Sequence, residues 1–251
     1  MTRLLEALVD DAGLFPPSWL PMDEALARHR RSDSPMLTRR FLLPGDRVTE
    51  CLELLTEGEV LDVHLIGDDV VPTAPRFGAF PQGQDPVEGH QSGGGITVRA
   101  VELRSGTRDD LPCYVEGIAP AELKPHGMFG KLRCGGVRIP SVEEVAAYVV
   151  AAARASLPFK GTAGMHAAVR GWESTNGEPH HGYLNLVLAV ARSLREDDVA
   201  DVLRCDDADA LTAEAKELSD DLVTATRWLF HSYGSCDTDR PVNDAITLGL
   251  L

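Results

Sequence analysis

The sequence predicts an α/β fold of the (β/α)8-barrel (TIM-like) type, irregular or incomplete, with a helical C-terminal part. Two patterns carry the prediction. Six strand candidates, separated by helices or short connectors, occupy residues 36–164, and such alternation is the signature of parallel pairing. These strands are also nearly continuous in apolar character, as strands covered on both faces are. A chain of 251 residues suffices for one large domain with a sizeable core, and we read 1–251 as a single domain. An open doubly wound sheet is the alternative architecture. Strands seven and eight have no assignable place in this reading.

The elements follow in order. "MTRLLEALVDDAGLFPPSWL" reads as a short helix ending at "FPPSW". "PMDEALARHRR" is a second helix, with Pro21 near its start and acids in its first turn. "MLTRRFLLP" is a strand closed by Pro44, and "DRVTECLELLTEG" a helix with Val48, Cys51, Leu52 and Leu55 on its apolar side. "VLDVHLIGDD" is the next strand. Residues 72–95 are rich in Pro and Gly and read as a long loop, either a linker or a lid. Strands resume at "GITVRAVELR", "LPCYVEGI" and "FGKLRCGG". In "SVEEVAAYVVAAARA", Ser141 and Glu144 make a capping box, and Val142, Val145, Ala146, Val149 and Val150 an apolar stripe. "LPFKGTAG" is the strand that follows. From 181 to 251 the pattern is mostly helical: "GYLNLVLAVARSL", then roughly 212–231, then a tail whose Ile246, Leu248, Leu250 and Leu251 are expected to dock on the domain.

Composition excludes several functions. A net charge of −15 without a basic cluster argues against nucleic acid. No apolar run reaches 18 residues and the amino terminus lacks a signal-peptide core, so a membrane partner is not expected and a cytoplasmic location is. The five cysteines form no CxxC pair, which points to a reduced protein without structural zinc. No cofactor is implied, and a homo-oligomer is open.

The chemistry is expected at the carboxyl ends of the strands, where barrels of this kind place their sites. Those ends carry Arg39, Arg40, His64, Glu102, Glu116, Lys131 with Arg133, and Lys160. Glu102, between Arg99 and Arg104, reads as a solvated strand residue, and His64 as a satisfied core histidine. The lysines stand out because the chain has only four, against 20 arginines. Lys131 precedes Cys134-Gly135-Gly136, and Lys160 precedes Gly161-Thr162-Ala163-Gly164, glycine-rich turns that let a backbone approach a ligand. A lysine can do one thing arginine cannot: lose its proton and attack a carbonyl as a Schiff-base nucleophile. Lys160 is the expected nucleophile, with Lys131 and Arg133 supplying the neighbouring positive field. Glu116 or His166 would move protons. Thr162, Gly135, Gly136 and Gly164 would line the substrate, and Arg170, His181 and Asn185 would orient it. His166 and Arg170 lie four residues apart, as do His181 and Asn185. "SYGSC" near the end lacks the GxSxG pattern and reads as a packed tail that closes the barrel.

"LPFKGTAG" resembles the Schiff-base strand of deoxyribose-phosphate aldolase, whose pattern is Phe-Ile-Lys-Thr-Ser-Thr-Gly. Lys160 matches the nucleophilic lysine and Gly164 the closing glycine, while Gly161, Thr162 and Ala163 depart from the pattern. The family's second lysine lies on a later strand, where this chain has only Lys216. More widely, "AGLFPPSWLPMDEAL", "KLRCGG", "FKGTAGMHAAVR", "HHGYLNLVLA" and the tail resemble a family of bacterial barrel-like proteins known by sequence pattern and not by an activity. Where those read Ala-Gly-Leu-His-His-Pro-Val-Arg, His166 and Arg170 match but Ala167 and Ala168 do not. The family's Gly-Ser-Cys-Ser-Phe-Asp-Glu-Pro becomes Gly234 to Pro241 with changes between.

The leading expectation is therefore a lyase of aldolase type acting on a small anionic carbonyl compound, with Lys160 as Schiff-base or enolate-stabilising residue. Two alternatives remain open. One is a metal- or acid/base-dependent isomerase or hydrolase using His166, His181 and Glu116. The other is a catalytically degenerate barrel that binds a metabolite or partner protein.

Overall fold

The structure, a computed structural model, describes residues 2–68, 95–106, 111–172 and 179–251. Eight parallel strands close into a barrel. They are β1 (Val9–Asp11), β2 (Leu37–Pro44), β3 (Val60–Ile66), β4 (Gly95–Leu103), β5 (Cys113–Glu116), β6 (Phe129–Arg133), β7 (Phe159–Thr162) and β10 (Phe230–Ser235). Each pairs with its sequence neighbour, and β10 closes the ring between β7 and β1. The two strands β8 (Gly171–Trp172) and β9 (Pro179–His180) form a separate antiparallel pair. The expected (β/α)8 barrel is thus the fold.

The helices are uneven around it. After α1 (Thr2–Leu5), α2 (Met22–Arg31) joins β1 to β2, and the short α3 (Val48–Glu53) joins β2 to β3. The single turn α4 (Pro120–Leu123) lies between β5 and β6, and α5 (Val142–Ala155) between β6 and β7. The capping box of α5 forms as expected: Ser141 Oγ accepts from the Glu144 N–H at 3.2 Å, and the Glu144 carboxylate accepts from the Ser141 N–H at 2.7 Å. Four helices separate β7 from β10: α6 (Tyr183–Leu194), α7 (Val199–Arg204), α8 (Ala208–Glu217) and α9 (Asp220–Leu229). The last helix, α10 (Asp239–Thr247), docks as the tail was expected to do, with Ala245 and Leu250 in the core; Ile246 instead faces out.

Two sequence expectations are corrected here. The first 20 residues are not one helix, because Val9 to Asp11 enter the barrel as β1. The helical region expected over 212–231 breaks at Ser219, which caps α9 through the Leu222 N–H, and its end passes into β10. β1 and β10 are the missing members of the barrel. The 72–95 segment lies outside the described residues except for Gly95, which opens β4.

Strand alternation sorts the side chains. Val63 and Leu65 flank His64, Val101 and Leu103 flank Glu102, and Phe159 precedes Lys160; all these apolar residues pack in clusters between strands and helices. The barrel's apolar side is its outer face. A barrel interior is commonly filled by branched apolar residues, but this one is filled by charges.

Candidate functional site: a lysine pair inside the barrel

Lys160 and Lys131 hold paired register positions on the adjacent strands β7 and β6. Both reach Glu102 of β4. Lys160 Nζ donates to Asp10 Oδ2 at 2.7 Å and to Glu102 Oε1, while Lys131 Nζ lies 3.0 Å from Glu102 Oε2. His64 Nδ1 sits 3.0 Å from Glu102 Oε1. Asp10 is also held by Arg40 Nε at 3.0 Å, Thr38 Oγ1 at 2.7 Å and Ser232 Oγ at 2.7 Å. Tyr114 stacks on His64, and its hydroxyl contacts His231 Nδ1 at 2.7 Å. Lys160 Nζ lies 5.7 Å from the centre of the Tyr114 ring.

Every member of the cluster is deep. Lys160 and Asp10 are 0% exposed, Glu102 and His64 1%, and Lys131 6%. Burial alone would raise both carboxyls, since it penalises the charged form. For Asp10, Arg40 and Lys160 reverse that; for Glu102, Lys160 and Lys131 do. Both are held well below the usual carboxylate range. Burial, reinforced by Lys160, lowers His64, so it is the neutral imidazole at neutral pH. Counted at formal charges, Lys131, Lys160 and Arg40 against Asp10 and Glu102 leave one positive charge in excess. A chain of net −15 thus gathers three basic side chains around two acidic ones inside its barrel.

Two residues were misread from sequence. Glu102 is not solvated; it is the shared partner of both lysines and His64. Asp10, which no sequence expectation singles out, is the second carboxylate partner of Lys160. Among the described residues, Asp10, His64 and Glu102 are the group of three whose ligand atoms lie within 4.8 Å of one another, the arrangement a metal ion would use. Lys160 donates to both carboxylates of that group, so its ammonium and a metal ion compete for the same oxygens.

The other predicted site residues divide. Glu116 and Arg133, at the ends of β5 and β6, pair with each other through two contacts of 2.5 and 3.0 Å; Glu116 is in register with Lys131, and Arg133 lies two residues further toward the carboxyl end. Thr162 is opposite Arg133 in register, and its carbonyl accepts from the Cys134 N–H at 2.8 Å. Gly135 and Gly164 meet each other: a Cβ on Gly135 would come within 2.8 Å of Gly164 Cα. They are small so that the chains leaving β6 and β7 can touch. Gly136 has φ +101, and a Cβ there would lie 3.3 Å from the Arg133 guanidinium.

Arg170, His181 and Asn185 are not brought to the lysines. The Asn185 side chain accepts from the Arg170 N–H at 2.8 Å and donates to the Val202 and Cys205 carbonyls at 2.7 and 2.8 Å. Its amide ties the hairpin segment and α7 to α6. His181 Nε2 contacts the Pro140 carbonyl at 2.8 Å. His166 lies beside Cys236, with Sγ–Nδ1 at 3.6 Å. His166, His181 and Glu116 therefore each have a different partner, and the metal or acid/base trio expected from them is not assembled. Against models of protein families, curated protein sequences and solved structures, the chain matches none.

Proposed function

We propose that this barrel is an enzyme of aldolase or related lyase type, acting on a small anionic carbonyl compound through its lysine pair. The carrying observation is the convergence of Lys131 and Lys160, in register on neighbouring strands, on Glu102 inside a barrel with one surplus positive charge. That surplus suits a carboxylate or phosphate on the substrate, and the Glu116–Arg133 pair offers a guanidinium to the same anion.

The geometry favours a division of labour. Lys160 gives two of its N–H donors to carboxylates and is fully enclosed, which suits a fixed ammonium that stabilises an enolate oxygen. Lys131 has one carboxylate and lies one strand nearer Glu116, which suits the attacking amine. In the proposed reaction Glu116, in register with Lys131, takes a proton from that lysine's ammonium, and the freed amine adds to the carbonyl carbon. The carbinolamine loses water to give an imine, whose electron-withdrawing nitrogen makes the adjacent C–C or C–H bond breakable.

The test is borohydride trapping with pyruvate and with glyceraldehyde 3-phosphate as probes, followed by peptide mapping. We expect a reduced adduct on Lys131, absent from Lys131→Arg because a guanidinium stays protonated. An adduct on Lys160 would keep the reaction and reverse the two roles. No adduct on either lysine of the folded protein, with either probe, would overturn the imine reading.

A further inference from the structure

A cysteine–histidine pair, Cys236 and His166, stands where β10 and β7 end. On β10, Ser232 bonds Asp10 in the interior, and a Cβ on Gly234 would meet Leu42 and Ala12; Tyr233 between them stacks on Tyr183 of α6. Continuing that alternation, Cys236 points to the interior side as the first residue past the strand. Its Sγ lies 3.6 Å from Nδ1 and 4.0 Å from Nε2 of His166, which belongs to the segment leaving β7. The Cys236 backbone is pinned: its carbonyl accepts from Arg28 Nη1 at 2.6 Å and Ser18 Oγ at 2.9 Å. Arg28 is in turn engaged by Asp11, which also takes the Gly13 N–H at 3.0 Å. The thiol is therefore fixed against an imidazole at the face where barrels do their chemistry.

The five cysteines give an internal comparison. Burial pushes Cys51 up to about 11 and Cys134 up to about 12. Burial would raise Cys236 as well, but the contacts with His166 and Ser18 outweigh it and bring the thiol below its ordinary value. The titratable and charged groups around it are His166 from the β7 segment, Arg28 and His29 of α2 with their partner Asp11, and Asp237 beside it.

We propose that Cys236 and His166 form a nucleophilic thiolate–imidazolium pair that captures aldehydes reversibly where β10 and β7 end. In the step, the thiolate sulfur attacks the carbonyl carbon and an S–C bond forms. The π pair moves to oxygen, which takes the proton from the His166 imidazolium, leaving a neutral thiohemiacetal and a neutral imidazole. No oxidant, reductant or further reactant is needed, and collapse in reverse returns the aldehyde. The pair shares with the lysine reading only the carbonyl class of ligand.

The experiment is iodoacetamide labelling of the native full chain across pH 5–10, with the label at each cysteine followed by peptide mapping. Cys236 is expected to react at least 10-fold faster than Cys205 at pH 7, with its rate rising through an inflection below the roughly 8.5 of a free cysteine. His166→Gln and His166→Ala should each move the inflection upward and slow labelling at pH 7 by about 10-fold, as loss of the neighbouring imidazolium requires. Glycolaldehyde should protect Cys236 reversibly, while Lys131→Arg should leave its labelling unchanged. A Cys236 that is inert in the native protein overturns the proposal. So does a rate that a folded His166 variant leaves unaltered, or one that glycolaldehyde does not slow. Because the lysine variant keeps its thiol, failure of the imine reading and failure of this one are told apart.

Discussion

His231 shows how a single buried side chain sets the protein's response to pH. Burial first, then Arg40 and Arg227, lowers it from the ordinary 6.5 to about 4, and Tyr114 shares its Nδ1. A depressed histidine is neutral in the fold and protonated in the unfolded chain below 6.5. Its stabilisation is therefore complete above pH 6.5 and is lost as pH falls toward 4. At roughly 1.4 kcal/mol per pH unit, the loss is on the order of 3 kcal/mol. Urea midpoints measured from pH 7 to 4 should fall steeply for the native protein and more gently for His231→Gln; parallel curves would refute the assignment. His64, lowered in the same sense, leaves part of the slope in that variant. At this scale the sequence was half legible. Lysine scarcity marked Lys131 and Lys160, because a rare residue kept against a compositional bias stands out. Glu102 and Asp10 did not, because a carboxylate in an acidic chain has nothing in its local pattern to separate a buried ion partner from a solvated one.

Among the elements, α5 and the crossing beside it make contrasting predictions. Ser141→Ala removes an exposed cap and should cost about 1 kcal/mol in chemical denaturation. Gly135→Ala should cost more than Ser141→Ala, since its Cβ meets the Gly164 backbone at 2.8 Å, and Gly164 itself has φ +74, which a Cβ disfavours. Equal losses would show that the two segments part easily. The elements legible in advance were those with a recognisable apolar pattern: β2 to β7, α2, α5 and α6. The two that were missed, β1 and β10, are 3 and 6 residues. Their inward positions are Asp10, Ser232 and Gly234, so neither presents the apolar run that identifies a buried strand. A barrel with an ionic interior hides strands whose inward positions are polar or glycine from a reading based on hydrophobicity.

For the whole molecule, the described residues contain no helix long and apolar enough to cross a membrane, and the tail is part of the body. Removing residues 241–251 deletes Ala245 and Leu250 from the core, and with them the Pro241 carbonyl that accepts from the Tyr183 hydroxyl at 3.0 Å. The truncated chain should lose at least 3 kcal/mol, by the scale of buried large-to-small changes, and show a lowered melting temperature in calorimetry. An unchanged melting temperature would make α10 dispensable. The position of β10 carries a further consequence, for synthesis. A ribosome that has released the chain through Leu229 has delivered seven of the eight strands, and the open sheet ends in two unpaired edges, β1 and β7. Such edges recruit other strands, and Asp10 waits beside one of them without Ser232. The nascent protein is thus most exposed to misassembly just before its final strand emerges, and chaperone demand during translation should peak there.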